Sequence, residues 1–185
     1  SHFYAVDAVM VLLTTATLYF LYQVARGGAR KYSVLAGLMI GLGLATKVSL
    51  LPVLLPFAVA HMLYATGALG LSQSAADSAR RTREAVMGVL LGALVGGLAF
   101  FIAEPYALLD FHRFKDAVVE QSEMVRRVRD YPYTRQYIDT APYWYQVRGL
   151  AVWGLGLPLG VVAWAGLVFA SLHGLRRVLW PGYVL

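Results

Sequence analysis

Six residues in this sequence combine reactive chemistry with a setting where it could be used: Asp7, Lys47, Glu104, Tyr106, Arg135 and Tyr137. Asp7 stands at the start of an apolar run, and an acid within a membrane span is costly and usually functional. The competing reading is an interfacial carboxylate that stays in water. Lys47 interrupts the apolar stretch 32–66. A cation there could hold a phosphate as a point charge, without bidentate geometry, or could snorkel to headgroups. Glu104 could touch an acceptor, a sugar hydroxyl or a metal, or simply mark a membrane edge, and Tyr106 follows it closely. Arg135, flanked by Tyr133 and Tyr137, could bind phosphate or stack beneath a sugar. An interfacial arginine among tyrosines is equally expected.

Metal and pigment chemistry has thinner support. The histidines are His2, His61, His112 and His173, and no two have the i, i+4 spacing of a helical metal site. His61 or His173 could ligate a haem or chlorophyll axially, although a hydrogen-bonded interfacial histidine is commoner. The chain has no cysteine, so it has neither a disulfide framework nor a thiolate metal site.

The elements that must position these residues are membrane spans. Of the residues, 59% are hydrophobic and only 14% charged, which excludes an ordinary soluble domain. Residues 85–103 carry no charge and would extend about 28 Å as a helix, close to the thickness of a hydrocarbon core. Residues 149–172 are also uncharged. We expect an all-α integral membrane protein forming a single multi-span region over 1–185. About five transmembrane helices fall near 4–24, 33–46, 50–65, 85–103 and 149–172. The second and third form a short hairpin turning near Lys47-Val48-Ser49, with an ascending arm too short for a full crossing. That places Lys47 in a dip below the membrane surface. Pro52 and Pro56 sit near the start of the returning helix, where missing amide donors cost least.

Charge gives the sidedness. The net charge of +6 resides in three short segments, 26–31, 72–84 and 173–177, which hold eight cations against Asp77 and Glu84. This is the positive-inside pattern, so the bilayer rather than nucleic acid is the expected partner. Residues 66–84 read as a cytoplasmic linker. The neutral segment 104–148 then lies outside with the N-terminus, and the C-terminus is cytoplasmic. Within that outer loop, Asp110 can cap a helix over 110–129 whose apolar stripe runs through Phe111, Phe114, Val118, Val125 and Val128. It reads as an amphipathic helix on the membrane surface. Gly88, Gly92 and Gly96 line one face of the span 85–103 and permit close helix contact in lipid.

Three stretches carry a family resemblance: Ser1-His2-Phe3-Tyr4-Ala5-Val6-Asp7, Gly41-Leu42-Gly43-Leu44-Ala45-Thr46-Lys47, and Glu104-Pro105-Tyr106 with Tyr133-Thr134-Arg135-Gln136-Tyr137. Together they resemble the polyprenyl-phosphate-dependent glycosyltransferases of the protein O-mannosyltransferase and aminoarabinose-transferase group, the family 39 type with the GT-C membrane fold. The resemblance implies transfer of a sugar, with inversion, from a polyprenyl-phosphate donor to an acceptor at the outer face of a bacterial plasma membrane. It implies Lys47 and Arg135 at the donor phosphate, Asp7 lining the site, and Glu104, Tyr106 and Tyr137 at the acceptor cavity. A divalent metal is left open. The family's general base is an acid in a loop that would precede Ser1, and no Asp-Glu pair occurs in this sequence. The expectation is therefore the central portion of a longer enzyme. The alternative is a non-catalytic accessory or scaffold subunit of a larger membrane complex, using the glycine-lined span and the aromatic loop as contact surfaces. A transporter is a third and weaker reading.

Overall fold

The computed structural model describes residues 6–27, 30–69, 74–125 and 143–179, with positions 128, 132, 135, 140 and 141. Every regular element among them is helical, and four helices are long and apolar enough to cross a membrane: Asp7–Gly27, Val48–Thr66, Ala75–Ala103 and Leu157–Gly174. This is an all-α membrane protein. The chain divides into two compact units, Ser1–Val118 and Val119–Leu185.

In the first unit, α1 (Val6–Gly27) is followed by α2 (Arg30–Thr46), whose 17 residues extend about 26 Å. That is the short arm of the hairpin, though it starts three residues earlier than its hydropathy suggests. The turn is more ordered than a loop. Lys47 is extended (φ −159°, ψ 117°), and a 3-10 segment, Val48–Val53, leads directly into α3 (Leu54–Thr66). Pro52 lies inside that 3-10 segment and Pro56 in the first turn of α3, where a helix has no use for an amide donor. α3 stops at Gly67, whose left-handed backbone (φ 66°) lets Gly67 and Ala68 donate to the carbonyls of Tyr64 and Leu63.

Part of the linker expected over 66–84 is helical instead. Residues 75–84 form the opening turns of α4 (Ala75–Ala103), a continuous 29-residue helix. Small and charged residues such as Ala75, Ala76, Arg80, Arg81 and Glu84 read as a polar loop. They are nevertheless good helix formers, and the adjoining span spares them the cost of nucleation.

α2 and α4 run parallel and in backbone contact. A Cβ on Gly37 would come within 2.0 Å of the Gly92 carbonyl oxygen, and one on Gly41 within 2.1 Å of the Gly96 oxygen. The glycine face of α4 is thus filled by the glycines of α2, as close packing in lipid requires. Around this seam Leu21, Val24, Ala36, Ile40, Val53 and Phe57 build the buried core. One polar pair lies inside it. The Ser33 hydroxyl and His61 Nε2 are 2.9 Å apart, and His61 Nδ1 is 2.8 Å from the Phe57 carbonyl.

α5 (Tyr106–Leu109) and α6 (Phe111–Val125) follow α4. The Asp110 carboxylate accepts from the Arg113 amide at 3.2 Å and so opens α6, as expected. The surface helix read over 110–129 is described as far as Val125, and residues 126, 127 and 129 lie outside the described residues. Phe114 on its apolar face meets the Phe100 ring edge-on, with centroids 6.1 Å apart.

In the second unit the apolar run 149–172 is not one helix. α7 (Trp144–Gly149) passes into a π-helical turn, Leu150–Gly154, where the Leu155 amide donates to the Leu150 carbonyl. The chain then bends at Gly156 (φ +78°) before α8 (Leu157–Leu179). The cause is local: Gly156 takes a left-handed backbone, and Pro158 has no amide to continue the preceding helix.

Candidate functional site

The residue with the clearest functional geometry is Lys47. It follows the last turn of α2, where its amide still donates to the Gly43 carbonyl at 2.9 Å. Its ammonium lies 3.5 Å from the Asp7 carboxylate, in the first turn of α1. The antiparallel α1–α2 pair thus brings together two residues 40 positions apart. Each charge also suits its helix end, with the acid at an N-terminus and the cation at a C-terminus. Both side chains remain accessible, at 43% relative exposure for Lys47 and 77% for Asp7. An exposed ion pair of this kind contributes only about 0–1 kcal/mol, so an incoming anion can compete with Asp7 for the lysine.

Beside this pair, between α2, the 3-10 segment, α3 and α4, lies an apolar cavity of about 400 Å³. Its walls include Ile40, Leu44, Val48, Leu51 and Phe100, with Phe114 from α6 also in the lining. Val48, the residue after Lys47, is part of the lining. Its volume falls in the roughly 300–1,000 Å³ range of small-molecule sites, but its lining lacks their few convergent polar groups. A hydrocarbon chain suits it; a polar substrate does not.

Glu104 reaches the same end of the bundle. Ser33 meets Gly88, Gly37 meets Gly92 and Gly41 meets Gly96, so α2 and α4 advance in step and end together. Glu104 follows the last turn of α4, its amide bonded to the Phe100 carbonyl at 2.7 Å, and Tyr106 opens α5 with an exposed ring. Arg135 belongs to the second unit, where its side chain is exposed and engaged in an interaction. Tyr137 lies outside the described residues.

The pigment option fails for His61. Phe57's carbonyl must accept from Nδ1–H, which leaves Nε2 to accept the Ser33 hydroxyl, so neither ring nitrogen is free to bind a metal. Near the opposite end of the bundle, Glu84 accepts from the Tyr64 hydroxyl at 2.5 Å and from Arg80 at 3.1 Å. Among the described residues, no group of three His, Asp or Glu side chains could hold a metal ion.

Reasoning from sequence missed the cavity wall contributed by Phe100 and Phe114, and it missed the Ser33–His61 bond. The phenylalanines carry no motif. Gly37 and Gly41, spaced to match Gly92 and Gly96, were a usable signal for the helix pair that frames the cavity. Comparison with known proteins returned no match: no family model, no curated protein and no solved structure corresponds to this chain.

Proposed function

We propose that this chain binds a polyprenyl-phosphate-linked sugar and serves in the transfer of that sugar to an acceptor at the outer membrane face. The carrying observation is the adjacency of an accessible lysine and an apolar cavity that its chain neighbour Val48 helps to line. An amphiphile with an anionic head and a long hydrocarbon tail fits that adjacency. The resemblance of residues 1–7, 41–47, 104–106 and 133–137 to family 39 glycosyltransferases points the same way.

In this reading the prenyl chain enters the cavity and the phosphate replaces the Asp7 carboxylate at the Lys47 ammonium. In the transfer, the acceptor oxygen forms a bond to the anomeric carbon as the bond to the phosphate oxygen breaks. The acceptor proton passes to a carboxylate base, and the polyprenyl phosphate leaves with the electron pair. Lys47 stabilises the charge that grows on the leaving phosphate. Loop 104–148 lies outside in this orientation, and the Arg26, Arg30 and Arg80 end faces the cytoplasm, in keeping with the positive-inside bias.

The accessory-subunit reading has lost one of its supports, because the Gly88–Gly96 face is occupied by α2 within this chain. The test is binding of a polyprenyl phosphate to the chain in lipid nanodiscs. Lys47→Ala should weaken it by about tenfold or more, the worth of one charged contact. Equal affinity in the variant would remove the donor assignment.

A further inference from the structure

The end of the first unit opposite Lys47 carries cations from three helices that the sugar-transfer reading does not use. Arg26 comes from the last turn of α1, Arg30 and Lys31 from the first turn of α2, and Arg80, Arg81 and Arg83 from the opening turns of α4. The parallel α2–α4 register, with Ser33 facing Gly88, sets Arg83 and Arg80 within about a turn and a half of Arg30 along the helices, and Arg30 lies near enough to Glu84 to act on its carboxylate electrostatically. Glu84 is already committed to Arg80 and to the Tyr64 hydroxyl. Neither ion pair among the described residues involves Arg26, Arg30, Lys31 or Arg83, all of them exposed.

Two of these cations are set on aromatic rings. Arg26 donates to the Tyr22 hydroxyl at 3.3 Å with its guanidinium 5.6 Å from that ring, and the Lys31 ammonium lies 4.9 Å from the Tyr32 ring. Tyrosines at this level match the interfacial belt of a span. Below Arg26 on α1, Tyr22, Tyr19 and Leu18 are all exposed and offer an apolar track along the helix. Cations above tyrosines above an open apolar face follow the order of an anionic lipid read from headgroup to tail.

We infer that the Arg26, Arg30, Lys31 and Arg83 end of the bundle is a binding site for the phosphate headgroup of an anionic phospholipid. This goes beyond the proposed donor site, lies at the other end of the helices and does not depend on it. A bulk positive-inside bias would need only charge; this site also predicts a preferred, retained lipid.

The experiment is native mass spectrometry of the full chain in detergent, equilibrated with phosphatidylglycerol or phosphatidylcholine. Phosphatidylglycerol should be retained in preference. Each cation neutralised should reduce that preference about fivefold, read with Arg30→Gln and Lys31→Gln, since a basic residue near an anionic surface is worth about that factor. If that pair of changes impairs folding by circular dichroism, Arg26→Gln with Arg83→Gln replaces it. Arg113→Gln, on α6, should leave the preference intact. Equal retention of phosphatidylcholine, or a preference unchanged in the neutralised variants, overturns the inference. Displacement of the lipid by soluble glycerol phosphate also overturns it, because the site would then take free phosphate rather than a lipid.

Discussion

Gly37 and Gly92 are in backbone contact, and a methyl group on Gly37 would sit 2.0 Å from the Gly92 carbonyl oxygen. No side-chain rotation relieves a clash with backbone, so α2 and α4 would have to separate. Gly37→Ala should therefore destabilise the bundle by about 1–3 kcal/mol or more, the usual cost of overpacking. Thermal unfolding in detergent measures this. Gly97 is the internal control, since nothing lies within 4 Å of a Cβ there. Gly97→Ala should be neutral or slightly stabilising, given alanine's higher helix propensity of about 1 kcal/mol.

The Ser33–His61 bond and Gly88 form a coupled set. A Cβ on Gly88 would approach the Ser33 hydroxyl to 2.7 Å and His61 Nε2 to 3.1 Å. Gly88→Ala should be destabilising in the native background and less so once Ser33→Ala has removed the hydroxyl. A double-mutant cycle on unfolding should return a coupling of about 0.5–3 kcal/mol. A coupling of zero would mean that the alanine methyl is accommodated elsewhere.

Lys47 and Asp7 should respond in opposite directions. Lys47→Ala removes the cation and weakens polyprenyl-phosphate binding, whereas Asp7→Asn removes the competing carboxylate. With the exposed pair worth about 0–1 kcal/mol, Asp7→Asn should tighten binding by up to about fivefold. Titration of both variants with one lipid phosphate distinguishes this from a general loss of structure, which would weaken both.

Gly156 is held at φ +78°, a backbone that L-residues with a Cβ adopt at a cost of about 1–2 kcal/mol. Gly156→Ala should therefore lower the stability of the π-turn and bend ahead of α8. The loss should appear in unfolding of the full chain. Gly166→Ala, in mid-α8 with no atom near its Cβ, should not show it.

Much of the fold was legible because the bilayer imposes it. Charge-free runs at 85–103 and 149–172 pointed to membrane segments, and α4 and α8 are long and apolar enough to be such spans; Asp110 signalled the start of α6 by a cap that depends on three neighbouring residues. The reading failed where local signals were balanced. Residues 75–84 look like a loop by polarity and like a helix by propensity, and the attached span decided for helix. The run 149–172 looks uniform by hydropathy, yet Gly156 and Pro158 divide it.

Sequence by itself determined that this is a helical membrane chain, that its cations collect in short segments, and that Asp7 and Lys47 lie at the ends of apolar runs. These properties follow from composition and spacing along the chain. Only the tertiary structure decided that Asp7 meets Lys47, that α2 rather than a partner fills the glycine face of α4, and that Phe100 and Phe114 help enclose an apolar cavity. Such pairings depend on the register between helices distant in sequence. That register is set by which small residues let two backbones touch, and no single helix contains this information.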